Sequence, residues 1–94
     1  MSQALSIPNE TSIPLAQLPV GRRARILAVV ARGAVRQRLF DMGLLPGRVV
    51  ELLRVAPASG PLWLRLETGQ LSLRRNEARD ILVEPLPQSS GPRP

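Results

Sequence analysis

The chain is 94 residues long, with thirteen arginines, no lysine, seven acidic side chains and a net charge of +6. It contains neither cysteine nor histidine, which excludes disulfides, zinc-finger sites and Cys-His catalysis and, with lysine also absent, leaves no general base to activate a serine. The acidic residues stand singly, with no D-x-D or E-x-x-E pair, so the chain reads as non-enzymatic, with no catalytic residue, no metal ligand set and no cofactor.

One small domain is expected. Residues 1–14 combine Ser, Thr and Pro with little periodicity and read as a flexible N-terminal extension. Residues 15–84 read as the folded unit, and residues 85–94, Pro-Leu-Pro-Gln-Ser-Ser-Gly-Pro-Arg-Pro, as a disordered tail. The longest uninterrupted apolar run, Ile26 to Ala31, is far too short for a membrane span. The N-terminus shows no charged region followed by an apolar one, so a cytoplasmic location is expected.

Pro14-Leu15-Ala16-Gln17-Leu18 reads as a single helical turn, with proline well placed at its start. Arg22 to Ala31 reads as the first strand, with Ala24, Ile26 and Ala28 alternating against Arg23, Arg25 and Leu27. Gly33 breaks it. Ala34 to Met42 is expected to be a short helix with Val35, Leu39 and Met42 on one face. Nine residues do not hold a helix alone, so it must dock.

The stretch Arg38-Leu39-Phe40-Asp41-Met42-Gly43-Leu44-Leu45-Pro46-Gly47 is the most informative in the chain. Gly43 suits a helix end that needs positive φ, and Leu45 before Pro46 is pushed out of helical geometry. Pro46-Gly47 fits the two central positions of a type II turn.

Arg48 to Ala56 reads as a second strand with Val50 and Leu52 inward, and the lost alternation at Leu53-Arg54-Val55 predicts a bulge or sharp coil. Pro57-Ala58-Ser59-Gly60-Pro61 is a turn-rich hairpin loop. Leu62, Leu64 and Leu66 then alternate inward against Trp63, Arg65 and Glu67. Thr68-Gly69 is a tight turn, and Leu71 and Leu73 mark the returning strand. Asn76 is expected to cap one helical turn through Glu77-Ala78-Arg79, and Ile81 and Val83 to form a last strand. The expected class is mainly β: a small SH3-like barrel of five short strands, with one short helix between the first two and closure removing exposed edges.

The residues Leu15-x-x-Leu18-x-x-Gly21, Arg38-Leu39-x-x-Met42-Gly43-Leu44-x-Pro46-Gly47, Ala56-Pro57-x-x-Gly60-Pro61 and Leu73-Arg74-x-x-Glu77-Ala78-x-x-Ile81-x-Val83 together resemble the FeoA family. The resemblance covers about residues 15–84. It implies an SH3-like barrel of the ferrous iron uptake system, acting on FeoB, the membrane iron transporter with a cytoplasmic GTP-binding domain. A cytoplasmic accessory protein, peripheral to the inner face of the membrane through that partner, would follow. Leu39, Met42, Gly43, Pro46, Gly47 and Ala78 carry the structural motif. Ala58-Ser59 departs from the pattern, since the family often has another glycine there.

Candidate partner-binding residues are Leu44 and Leu45 in the corner loop, which either plug the end of the barrel or project into a partner groove, and Trp63, outward by parity. Arg36 and Arg38, with Arg48, Arg74 and Arg75, are expected to form a basic surface, either ordinary solvated charge or a docking patch for an acidic region of FeoB. Self-association is left open. The alternative is a nucleic-acid-binding barrel using the arginines. Phe40 and Trp63 are the only aromatic residues, too few for a base-stacking platform.

Overall fold

Residues 12–87 are described in the structure, a computed structural model. The expectations for the outer parts of both extensions, residues 1–11 and 88–94, lie outside the described residues. In chain order the elements are β1 (Ile13–Pro14), a 3₁₀ turn (Leu15–Gln17), β2 (Arg23–Val29), α1 (Gly33–Asp41), β3 (Val49–Val55), β4 (Leu62–Leu66), β5 (Gly69–Leu73), α2 (Arg75–Ala78) and β6 (Ile81–Pro85). All strand pairs are antiparallel in one sheet of order β1-β6-β2-β3-β4-β5.

The mainly β class with one short helix is as expected, but among the described residues there are six strands rather than five. The additional strand is Ile13–Pro14, which pairs with Val83 and Leu82. Proline is tolerated there because β1 is an edge strand. The sheet is not closed by backbone pairing, since β1 and β5 stand at its two ends. It nevertheless encloses one core: Leu15, Ile26, Leu39, Val50, Leu52, Leu64, Leu73, Ile81 and Val83 belong to a single buried cluster, with Ile13 and Leu71 packed against it.

Parity places most of these side chains. Val50 and Leu52 on β3, and Leu62, Leu64 and Leu66 on β4, all point inward and are buried. Two bulges adjust the alternation. On β2 the register shifts between Ile26 and Ala28, which exposes Leu27 and brings Val29 rather than Ala28 fully into the core. On β3 it shifts between Leu52 and Arg54, where the sequence pattern loses its period.

The corner after α1 closes as its residues dictate. Gly43 lies at φ +97°. The Leu44 N–H donates to the Leu39 carbonyl at 3.0 Å and the Gly43 N–H to the Phe40 carbonyl at 2.9 Å, the paired bonds of a Schellman cap. The apolar contact that accompanies such a cap joins Leu39 and Leu44, both fully buried. Pro46-Gly47 then forms the expected turn, with Gly47 at φ +94° and the Arg48 N–H donating to the Leu45 carbonyl at 3.0 Å. The Gly47 N–H donates to the Ile26 carbonyl at 2.7 Å, so the corner is tied to β2.

Three local expectations are corrected. Val35 is exposed, not part of the docking face, because only the C-terminal turn of α1 reaches the core through Leu39, Phe40 and Met42. The hairpin between β4 and β5 turns at Glu67-Thr68, with Gly69 already paired to Leu66. Asn76 does not cap α2. The cap position is Arg74, and the Glu77 carboxylate accepts the Arg74 N–H at 3.0 Å.

The loop between β3 and β4 carries strain. Ala58 (φ +57°) and Ser59 (φ +65°) occupy the two centres of a turn closed by the Gly60 N–H on the Pro57 carbonyl at 3.1 Å. Two positive φ values in succession make a type I′ turn, which favours Asn-Gly. Replacing Ala58-Ser59 with Asn-Gly is expected to stabilise the domain by about 1–2 kcal/mol and raise its melting temperature by roughly 5 °C or more. Thermal unfolding followed by circular dichroism checks this, and an unchanged or lower midpoint rules it out.

Candidate functional site

Of the arginines singled out in the sequence, the fold brings Arg38, Arg74 and Arg75 together. They line an open concavity of about 640 Å³ between the end of α1, the α2 segment and the β3–β4 hairpin loop. Arg79, which the sequence reading did not select, completes the set, and Ser59 and Ser72 also line the concavity. The elements explain the convergence. The chain leaves β5 at Leu73, and one turn of helix places Arg75 and Arg79 a turn apart on the same side. Arg38 arrives from the last turn of α1.

Glu77 organises this ground. It is the one charged residue buried among the described residues, at 6% exposure. One carboxylate oxygen accepts from Arg38 and the other from the Arg74 backbone N–H. Arg38 is half exposed, so its ion pair with Glu77 reaches from the surface into a dry anchor. Among the described residues, the side chains of Arg74, Arg75 and Arg79 take part in no hydrogen bond or ion pair. The Arg75 Nε is closed off from solvent and has no acceptor.

Arg36 and Arg48 are not part of this group. The Arg36 guanidinium lies over the Phe40 ring, 5.1 Å from its centroid. Arg48 lines a separate hollow at the other end of β4, with Gly47, Val49, Leu66 and Glu67.

Trp63 lies on the outer face of the sheet, half-buried, between Arg54 of β3 and Ser72 of β5. The Arg54 guanidinium is 4.3 Å from the centroid of the ring, a cation–π contact that fixes the indole and covers part of its apolar surface. Through Ser72 this aromatic patch borders the basic concavity. Leu44 is a different matter: it is completely buried and belongs to the core, so it presents nothing to a partner. Leu45 is half-buried in the corner and retains accessible surface.

Arg79 and Glu77 are the site residues that sequence reasoning missed. The signal for Glu77 was present, since an acidic residue at the third position of a helical turn is placed to accept the N–H that opens it. Among the described residues no three His, Cys, Asp or Glu side chains gather into a metal-binding group. No helix there is long and apolar enough to cross a membrane.

A model of the FeoA domain matches residues 13–85. The chain is 36% identical over 70 residues to an Fe(2+) transport protein A/Fe(2+) transporter FeoB fusion protein of Porphyromonas gingivalis, a match covering 74% of this chain and 8% of that protein. It thus spans under a tenth of that relative's length. Among solved structures it resembles the FeoA protein of Chlorobium tepidum, at 39% identity and a TM-score of 0.74, covering 84% of this chain and 75% of that one. It also resembles Stenotrophomonas maltophilia FeoA complexed with zinc, described as a prokaryotic SH3 domain protein, at 27% identity and a TM-score of 0.65, covering 74% and 87% of the two chains.

Proposed function

Because the chain belongs to the FeoA domain family, we propose that it is a non-enzymatic accessory protein of ferrous iron uptake that docks on the cytoplasmic part of a FeoB-type membrane transporter. The observation that carries this reading is the Porphyromonas gingivalis relative, in which the two proteins are one polypeptide. Covalent linkage holds two modules at a high effective concentration, an arrangement useful where they work in contact. The protein would sit in the cytoplasm, at the inner face of the membrane only through its partner.

Docking alters transport only to the extent that the domain binds one conformation of FeoB better than another. The surface best suited to it combines Trp63, braced by Arg54, with the neighbouring basic concavity of Arg38, Arg74 and Arg75. A half-buried indole held rigid loses little entropy on binding, and Trp and Arg dominate interface energetics. Leu45, at the corner, is a second candidate contact.

Titration of the protein against intact FeoB in detergent or nanodiscs tests the proposal. Specific binding is expected, weakened about tenfold or more by Trp63→Ala and less by Leu45→Ala, with circular dichroism unchanged for both. No measurable association with the intact transporter would sink it.

A further inference from the structure

We propose that the concavity formed by Arg38, Arg74, Arg75 and Arg79 is a binding site for a phosphate-bearing small molecule. The inference goes beyond docking on a transporter and does not depend on it.

Four guanidinium groups share one concavity with a single carboxylate, that of Glu77. Glu77 is already engaged by Arg38 and by the Arg74 N–H. Three cations are thus left without a counter-charge from the described residues. A solvated face spreads like charges apart, whereas here four arginines line a common space. A ligand of two or more negative charges relieves their repulsion and is held by charge-assisted hydrogen bonds.

Geometry favours a tetrahedral oxyanion such as phosphate over a carboxylate. A planar carboxylate is matched by one guanidinium fork, but a tetrahedral oxyanion offers acceptor oxygens in several directions. The donors here come from different directions: Arg38 from α1, Arg74 to Arg79 from around α2, and the Ser59 and Ser72 hydroxyls from the loop and β5. The Arg75 Nε is shut off from water without an acceptor, as is the Arg22 Nε outside the concavity, so it meets a bound anion only when its side chain turns toward the open space.

Size and lining narrow the class. About 640 Å³ exceeds one phosphate and falls within the range of small-molecule sites. No aromatic residue lines the space, so a nucleobase has no ring to stack on. Recognition is through the phosphate, and the remainder of the molecule is held loosely.

The test is titration of the full chain with inorganic phosphate, pyrophosphate and citrate, at about 0.15 M salt, where long-range attraction is screened beyond about 8 Å. Nuclear magnetic resonance reports the backbone amides and the arginine Nε–H groups. Pyrophosphate is expected to bind more tightly than phosphate, shifting the resonances of Ser59, Ser72, Arg75 and Asn76. The double variant R74Q/R79Q should weaken it about tenfold or more, since each lost contact is charge-assisted. The control R23Q/R25Q removes the same charge from exposed positions on β2, at the opposite end of the sheet from the concavity, and should change affinity less than about twofold. Equal loss in both variants would reduce the effect to net charge and overturn the proposal. So would citrate binding as tightly as pyrophosphate, or no saturable shift by about 10 mM pyrophosphate, an affinity too weak for specific recognition.

Discussion

Leu44→Ala is expected to remove about 3–5 kcal/mol of stability, the range for fully buried leucines that leave a cavity. Leu44 is completely buried, and so is Leu39, its partner across the helix cap. Its backbone N–H also closes the outer bond of that cap. Truncation therefore empties the core at the point where α1, β2 and the Pro46-Gly47 turn meet. A domain this small sits at or below the low end of the usual range of about 5–15 kcal/mol, so the variant should be partly unfolded near physiological temperature. Leu45→Ala, one residue on but half-buried, should cost about 1 kcal/mol. Urea unfolding of the two variants beside the parent distinguishes them. Similar midpoints for the two would contradict the assignment of Leu44 to the core and Leu45 to the surface.

The corner is legible in the sequence because its residues have few alternatives. A glycine after an amphipathic stretch, a leucine forced extended by the proline after it, and Pro-Gly at a turn centre each restrict φ and ψ locally. Their joint solution is the observed cap and turn. Strand parity was legible for the same reason, since alternation over Leu62–Leu66 admits only one buried face. The failures occur where the deciding contact is distant. Ile13–Pro14 becomes a strand only because Leu82–Val83 offers an edge to pair with. Val35 has the spacing of a buried residue but stays exposed, since only the last turn of α1 reaches the core. Nothing within either segment encodes that.

The basic concavity was legible only in part, and for a comparable reason. Arg74, Arg75 and Arg79 are neighbours in sequence, but Arg38 and Glu77 are separated by 39 positions and meet only because α1 and α2 flank the same end of the sheet. Charge in a sequence indicates what a surface carries, not whether it is concave. The expectation that Arg36 and Arg48 would join the group follows from proximity to the corner along the chain. The fold turns Arg36 onto Phe40 and leaves Arg48 beside Glu67.

Glu77→Ala should cost about 2–3 kcal/mol, because its carboxylate serves two partners from a buried position. Removing it strips the Arg74 N–H of its acceptor at the opening of α2 and leaves Arg38 facing Arg74, Arg75 and Arg79 without compensation. Glu77→Gln should cost less, about 1 kcal/mol, since the amide oxygen still accepts the Arg74 N–H while its NH₂ group faces the Arg38 guanidinium. The ion pair itself is the smaller part. Arg38 is half exposed and solvent screens it, so a double-mutant cycle with Arg38→Ala should give a coupling of about 1 kcal/mol or below. Chemical denaturation of the two single variants at Glu77, of Arg38→Ala and of the double variant measures all these terms. A coupling as large as the whole cost of Glu77→Ala would mean that the salt bridge, rather than the buried cap, holds α2 in place. A Glu77→Ala variant as stable as the parent would leave the burial of this carboxylate without a structural role.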